Sequence, residues 1–291
     1  MTKQIAGKKE STEKECMAGK MKSSERKQGL VTDKFTVGYG KKVILSNVNL
    51  MAEPGRVLTL IGPNGSGKST ILKSIVKQLK SLDGVVYLNG KATSEMKEAE
   101  IAKSLSMVMT EHIHPELMSC RDVVATGRYP YTGRLGILDK QDWKLVDEAI
   151  TMVHAEEVAE QSFTRISDGQ RQRVMLARAI CQDTAILVLD EPTSYLDIRY
   201  KLEFMSVLQE LARRKKVAVI LSIHELDLAE RVSDWVLCVS PGQESRFGRP
   251  EEMLTPEHLS ELFQIEEGRF RQTGGSMELP RPEGTPEVFV L

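Results

Sequence analysis

The chain has 291 residues, 41% of them hydrophobic, and its 40 basic and 41 acidic side chains leave a formal net charge of −1. This content is enough for a sizeable core, and the balanced charge argues against a nucleic-acid-binding protein, which usually carries a basic surplus. The four cysteines, Cys16, Cys120, Cys181 and Cys238, are far apart and follow no metal-ligand spacing. They indicate a reduced, cytosolic setting.

Residues 1–28 are predicted to form a disordered polar tail, because Lys, Glu and Ser dominate them and large apolar side chains are few. They contain no apolar stretch of the kind found in a secretory signal. The most apolar runs of the chain, VLTLIG, AILVLD and VAVILSI, are too short to span a bilayer. We therefore expect contact with a membrane only through a partner protein.

The order of predicted elements indicates an α/β fold. Runs such as VILSNVNL and GVVYLNG between residues 30 and 89 predict strands, with Asn89-Gly90 as a turn. A mostly helical insertion follows at about 94–165, interrupted by the loop GRYPYTGRLG. Short apolar strands then alternate with amphipathic helices, which is typical of a buried parallel sheet covered on both faces. Residues 246–291 are predicted to be a C-terminal extension with one helix in PEHLSELFQI.

The segment VLTLIGPNGSGKST matches the phosphate-binding pattern G-x-x-x-x-G-K-[ST] between a predicted strand and a predicted helix. Glycines let the backbone wrap around phosphates, and the amides at the helix N-terminus face the anion. Lys68 is expected to reach the β- and γ-phosphates, and the Ser69 hydroxyl to bind Mg²⁺. The predicted nucleotide-contacting loop comprises Gly62, Pro63, Asn64, Gly65, Ser66, Gly67, Lys68, Ser69 and Thr70. The pattern alone does not separate kinases, GTPases, helicases and transport ATPases.

Two acids end the strand AILVLDEPTS, at the edge of the sheet where ligands bind in open α/β folds. Asp190 is expected to hold Mg²⁺ through water, and Glu191 to take a proton from the attacking water. The second acid therefore favours hydrolysis. His224 ends the strand VAVILSIH, where it either hydrogen-bonds the γ-phosphate or the attacking water, or simply closes the strand.

The stretch ISDGQRQRVMLARAI predicts a helix that begins with a capping box between Ser167 and Gln170. Gly169 lowers helix stability in the first turn. Either it is a tolerated irregularity, or another group comes very close to that backbone.

In chain order, GPNGSGKST, ISDGQRQRVMLARAI, ILVLDEPTSYLD and LSIHELDLA resemble the ATP-binding subunit of ATP-binding-cassette (ABC) transporters, over residues from about 30 to 265. The segments GRYPYTG, SYLDIRYKLE and HELDLA are most similar to the branch that imports iron-siderophores, haem and cobalamin. The resemblance implies a P-loop NTPase core with an N-terminal antiparallel β-subdomain and an inserted α-helical subdomain. This ABC-type nucleotide-binding domain would occupy residues 29–245.

The resemblance also implies ATP and Mg²⁺ as cofactors and adds two residue roles. Tyr39 matches the aromatic side chain that stacks on adenine, although it also suits an ordinary strand position. Asp197 matches the loop that communicates across a dimer, and it also suits the N-cap of the following helix.

The family works as a head-to-tail dimer. By the resemblance, Ser167, Gly169 and Gln170 of one copy would meet the γ-phosphate held by Lys68 of a second copy. Closure on ATP and opening after hydrolysis would drive an integral membrane permease between two states.

Two positions depart from the family pattern. The signature usually has two glycines after its serine, and here the first is Asp168, whose charge would repel a phosphate. We expect Asp168 to face outward or to pair with a base. The glutamine that normally follows the strand entering the helical subdomain, here LSMVM, is replaced by Thr110, followed by Glu111. Either Thr110 or Glu111 takes its place toward the metal.

The leading interpretation is the ATPase subunit of an importer, held at the inner face of the cell membrane by its permease. An extracytoplasmic substrate-binding protein would be an indirect partner, and no nucleic acid is expected. The alternative is a soluble ABC-type switch that acts on nucleic acid or the ribosome. Such proteins usually carry two cassettes or long coiled-coil insertions, and neither is visible. A catalytically inactive regulatory subunit is disfavoured because the hydrolytic residues are all present. The cargo stays open, as does import against export.

Overall fold

The structure is a computed structural model that describes residues 29–109, 115, 117–194, 196–242, 244–264, 271–273 and 276–278. Its strands are β1 Leu30–Tyr39, β2 Lys42–Val48, β3 Met51–Ala52, β4 Val57–Ile61, β5 Asp83–Leu88, β6 Lys91–Ala92, β7 Leu105–Val108, β8 Ile186–Leu189, β9 Ala218–Ser222, β10 Trp235–Cys238, β11 Arg246–Gly248, β12 Arg271–Thr273 and β13 Ser276–Glu278. Its α-helices are α1 Lys68–Ile75, α2 Glu98–Ser104, α3 Cys120–Ala125, α4 Lys140–Met152, α5 Asp168–Cys181, α6 Ile198–Lys215, α7 Leu226–Val232, α8 Pro250–Met253 and α9 Pro256–Phe263. The predicted tail, residues 1–28, lies outside the described residues.

The first sheet is antiparallel, with strand order β2-β1-β5-β6 and β3 paired to β1. Asn89 and Gly90 join β5 to β6 with φ values of 49° and 81°. Two successive positive φ angles match the right-handed twist of a hairpin, and Asn-Gly adopts them at little cost. The predicted turn is therefore confirmed, and so is the N-terminal antiparallel β-subdomain.

The second sheet forms the core, in the order β11-β10-β4-β9-β8-β7, with every neighbouring pair parallel except the edge pair β10 and β11. The strands β4, β8 and β9 are buried along their whole length. Strands covered on both faces are apolar along most of their length, which explains these sequences, and Thr59 and Ser222 are buried polar exceptions. The predicted α/β core is confirmed.

The segment predicted as a helical insertion, at about 94–165, contains one strand near its start. Leu105–Val108 forms β7, an edge strand paired in parallel with β8, which confirms the strand predicted in LSMVM. The buried side chains of Ile101, Leu105 and Val108 have the spacing of one helical face, although a helix becomes a strand between them. Beyond this strand, α3, α4 and α5 share one hydrophobic cluster, which confirms the helical subdomain.

The segment after residue 245 is packed onto the core sheet. Its strand β11 pairs with β10, and Leu254, Leu259 and Leu262 form a cluster with Ile61 and Val236. The helix predicted in PEHLSELFQI is α9, which begins after the N-cap Thr255. Among the described residues no helix is long and apolar enough to cross a membrane.

The loop GRYPYTG connects α3 to α4 and is tied to the end of α5. A Cβ on Gly127 would lie 2.3 Å from the carbonyl oxygen of Arg178, so only glycine permits this approach. The buried Arg128 donates from Nε to Asp142 Oδ1 at 2.8 Å and from Nη1 to the Cys181 carbonyl at 3.0 Å. One guanidinium thus joins the first turn of α4 to the last residue of α5.

We expect Arg128→Met to lower the free energy of unfolding by about 3 kcal/mol, because it leaves Asp142 as a buried charge without its partner. Urea denaturation followed by circular dichroism measures this change. Arg214→Met is the control, because Arg214 forms an exposed pair with Glu210 on α6 and should affect stability little. Equal effects of the two substitutions would contradict the role assigned to Arg128.

Candidate nucleotide-binding site

The loop between β4 and α1 has backbone geometry that requires glycine at two places. Gly62 has φ 152°, and a Cβ there would lie 2.0 Å from the Val239 carbonyl oxygen. Gly67 has φ 105°, and its Cβ would lie 2.7 Å from Leu45 Cδ1. Gly65 also has a positive φ, 76°, but faces open space. The loop therefore curves tightly and leaves its own backbone accessible to a ligand.

The polar groups of this loop fit a phosphate anion. Lys68 Nζ donates to the carbonyl oxygens of Gly62 at 2.8 Å and Pro63 at 3.0 Å. Burial lowers the pKa of Lys68, although the carboxylates of Glu191 and Asp190 raise it. The buried Ser66 hydroxyl makes no hydrogen bond within the described part of the chain. Together with the backbone amides in the first turn of α1, these groups are donors of the kind that bind phosphates.

Asp190 lies at the carboxyl end of β8, beside the phosphate loop. Its Oδ1 accepts hydrogen bonds from Ser69 Oγ at 2.9 Å and from Ser222 Oγ at 2.8 Å. The two residues predicted to hold a metal, Ser69 and Asp190, are thus brought together. Hydroxyl and carboxylate oxygens are the kind of ligands that Mg²⁺ takes.

Glu191 points toward the end of the neighbouring strand β9. Its Oε1 lies 2.6 Å from His224 Nε2, and a contact of His224 with the γ-phosphate or the attacking water stays a prediction. The backbone of Glu191 has φ 47°, and its N–H donates to Ser222 Oγ at 2.8 Å. Ser222 is not among the functional residues predicted from the sequence. The one sequence signal for it in VAVILSI is a hydroxyl at a strand end, two residues before the histidine.

Glu225, the residue after His224, accepts hydrogen bonds from two other segments of the chain. Lys201 on α6 donates to Glu225, and Thr193 Oγ1 donates to the other oxygen of Glu225 at 3.5 Å. Burial raises the pKa of Glu225, but the hydrogen bonds from Lys201 and from the backbone, together with the charge of Lys201, hold that pKa below its usual value. Asp197 Oδ1 accepts from the Tyr200 N–H at 3.0 Å, which confirms the predicted N-cap of α6. Its role across a dimer stays a prediction.

Tyr39 ends β1 beside the first turn of α1. Its hydroxyl lies 3.5 Å from Thr70 Oγ1, while the residue as a whole is 53% exposed. An exposed ring next to the phosphate loop is compatible with adenine stacking, which stays a prediction.

The helix α5 begins with the predicted capping box. The Ser167 hydroxyl accepts from the Gln170 N–H at 3.3 Å, and Gln170 Oε1 accepts from the Ser167 N–H at 3.0 Å. At Gly169 a Cβ would lie 3.6 Å from Leu196 Cδ2, an ordinary contact. In the described part of the chain, none of these three residues hydrogen-bonds to the phosphate loop, and nothing there requires glycine at position 169.

The charge of Asp168 is paired with a base. Its Oδ1 lies 2.5 Å from Nη1 of Arg171, and Nη2 of the same guanidinium donates to the Ile166 carbonyl at 3.2 Å. The expected pairing is therefore found, and the side chain is 61% exposed. The other departure, Thr110 and Glu111, lies outside the described residues.

We expect Asp168→Gly to change ATP affinity and turnover by less than about tenfold, because an exposed ion pair contributes little. Nucleotide titration and steady-state phosphate release measure the two quantities. A change of orders of magnitude would mean that the Asp168 carboxylate contacts the nucleotide.

A phosphate-cradling loop before a helix and an acid pair at a parallel strand end together define a P-loop nucleoside triphosphatase. The family model "ABC transporter" matches residues 45–194. The chain is 39% identical over 263 residues to an uncharacterized ABC transporter ATP-binding protein of Methanocaldococcus jannaschii, covering 90% of this chain and 91% of that protein. It is 37% identical to the iron(3+)-hydroxamate import ATP-binding protein of Bacillus subtilis, covering 81% and 88%.

A solved dimeric ATP-binding cassette, in a post-hydrolysis state with ADP and Pi, matches with a TM-score of 0.66 and 25% identity, over 76% of this chain and 98% of that one. The chain belongs to the ABC transporter family, as an ATP-binding subunit. It is an ATPase of the ABC type.

Proposed function

We propose that this ATPase energises a membrane importer whose cargo is a ferric siderophore. One observation carries the proposal: the side chains expected to carry out hydrolysis lie together in a chain 37% identical to an iron(3+)-hydroxamate import subunit. The side chains of that site are Lys68, Asp190, Glu191 and His224. Haem and cobalamin belong to the same predicted branch, and the substrate of the Bacillus relative favours the siderophore over both.

The helical subdomain supports a permease partner. Its connection between α3 and α4 exposes Tyr129 by 56%, Leu135 by 82% and Ile137 by 70%. Several exposed large apolar side chains in one connection favour a surface that a partner covers. The subunit would thus be held at the inner face of the membrane by its permease, and an extracytoplasmic binding protein would act only indirectly.

The working unit that we propose is a dimer with two ATP molecules between its subunits. Lys68 would hold the phosphates of one ATP, and Ser167 and Gly169 of the second copy would complete the site. Ser69 and Asp190 would hold Mg²⁺, which supplies positive charge to the phosphates when bound. Glu191 would take the proton of the attacking water, with His224 2.6 Å away holding the carboxylate in place.

Uptake by living cells tests the cargo. A strain that lacks this gene should lose uptake of ⁵⁵Fe-labelled hydroxamate siderophore, and a plasmid copy should restore it where a Glu191→Gln copy does not. Labelled cobalamin and haem are separate arms of the assay. Unchanged siderophore uptake would contradict the proposed cargo. Loss of uptake of only cobalamin, or of only haem, would identify that compound as the cargo instead.

A further inference from the structure

Ser222 is a buried polar residue in an otherwise apolar strand. It ends β9, which lies between β4 and β8 at the centre of the core sheet, and its exposure is 0%. A hydroxyl at such a place destabilises the fold unless it is hydrogen-bonded. The partners of Ser222 therefore show what the hydroxyl does.

Both hydrogen bonds of this hydroxyl go to the acid pair. A serine has one O–H to donate and two lone pairs to accept with. Ser222 donates to Asp190 Oδ1 at 2.8 Å and accepts from the Glu191 N–H at 2.8 Å. A single atom thus restrains two consecutive residues that have different tasks.

For Asp190, the restraint comes from outside the predicted metal site. Its Oδ1 also accepts from Ser69 Oγ at 2.9 Å, but the Ser69 hydroxyl is itself assigned to Mg²⁺. The Ser222 hydroxyl is not assigned to the metal. It can therefore hold the orientation of the Asp190 carboxylate whether or not Ser69 donates a hydrogen bond to that carboxylate.

For Glu191, the restraint acts on the backbone. A φ of 47° is costly for a residue with a side chain and persists only where the surroundings hold it. The Ser222 oxygen supplies the acceptor for this N–H. The backbone conformation in turn directs the carboxylate toward His224, 2.6 Å away.

We propose that Ser222 is a positioning residue of the ATPase site, which orients Asp190 toward the metal and Glu191 toward the attacking water. This inference rests on the proposed function of those two carboxylates. Ser222 itself touches neither nucleotide nor metal in this assignment. It acts through Asp190 and Glu191, the two residues that follow β8.

The test uses the purified 291-residue chain and four variants. Ser222→Ala removes both hydrogen bonds, Ser222→Cys keeps a side chain of similar size with weak ones, and Ser222→Thr keeps the hydroxyl. Ser106→Ala is the matched control. Ser106 is a buried serine of β7 in the same sheet, and its partner Thr184 also donates to the Ile186 carbonyl at 2.9 Å.

Two quantities are measured: kcat for ATP, and the rise in Tm that ADP causes at increasing Mg²⁺ concentration. Binding to the folded state raises Tm by an amount that increases with the ratio of ligand concentration to Kd, so this second readout needs no turnover. For Ser222→Ala we expect kcat to fall about tenfold or more and the half-saturating Mg²⁺ concentration to rise about tenfold. The Tm rise that ADP causes in Ser222→Ala without Mg²⁺ should equal that of wild type. Ser222→Thr and Ser106→Ala should equal wild type in both kcat and Mg²⁺ dependence.

Wild-type kcat and Mg²⁺ dependence in Ser222→Ala would overturn the proposal while leaving the ATPase function intact. If Ser222→Ala does not fold, the same two quantities are measured on Ser222→Cys, and wild-type values there would overturn the proposal. A wild-type chain that neither hydrolyses ATP nor responds to Mg²⁺ would instead contradict the proposed function.

Discussion

Replacing Glu191 by glutamine is expected to reduce ATP turnover by about a hundredfold or more, because a general base contributes about that factor or more to such a reaction. The glutamine amide keeps the size of the side chain and can still hydrogen-bond His224, but it cannot accept a proton. Phosphate release under saturating ATP and Mg²⁺ measures the loss. The thermal shift caused by ATP should remain, because Lys68 and the phosphate loop are unchanged.

The control for this substitution is Glu230→Gln, an exposed glutamate of α7 outside the site. It should turn over ATP at the wild-type rate. Turnover of Glu191→Gln within about tenfold of wild type would assign proton removal to another group.

The same variant should collect in an ATP-bound dimer, since the state that precedes hydrolysis no longer decays. Light scattering coupled to size-exclusion chromatography gives the mass with and without ATP. A monomer under saturating ATP and Mg²⁺ would count against nucleotide sites shared between two copies.

Gly169→Ala is expected to lower turnover by about a hundredfold, because a methyl group there would displace the second copy's phosphate by about an ångström. The substitution tests only whether the second copy's phosphate needs room at Gly169, because the methyl group is tolerated within one chain. Within one chain the new Cβ would lie 3.6 Å from Leu196 Cδ2 and 3.9 Å from Tyr200 Cδ2, both ordinary contacts. Alanine is also the better helix former in the first turn of α5.

Three measurements on Gly169→Ala distinguish effects on folding stability, on nucleotide binding and on dimerisation. Its urea midpoint should equal or exceed that of wild type, and ATP should still bind the phosphate loop of the monomer. ATP-dependent dimerisation should be lost. Wild-type turnover in this variant would mean that no phosphate approaches the backbone of Gly169.

Local sequence determined the parts of the site that lie within a few residues of one another. Gly62 and Gly67 are needed by the backbone path of their own loop, and Lys68 follows in the helix that this loop begins. The capping box of Ser167 and Gln170 spans a single helical turn. Such features depend on backbone geometry over short stretches, and that geometry is set by the neighbouring residue types.

The contacts between groups that are distant in sequence depend on the tertiary structure. Ser69 and Asp190 are hydrogen-bonded across 121 positions of sequence, and Ser222 reaches Asp190 across 32. A buried strand is almost continuously apolar whichever strand lies beside it, so its sequence does not identify its neighbours. For the same reason, the sequence does not distinguish Ser222 from the other residues of its apolar run. Parallel pairing of β8 with β9 brings the strand ends together, and only there does a buried serine become a partner of the acid pair.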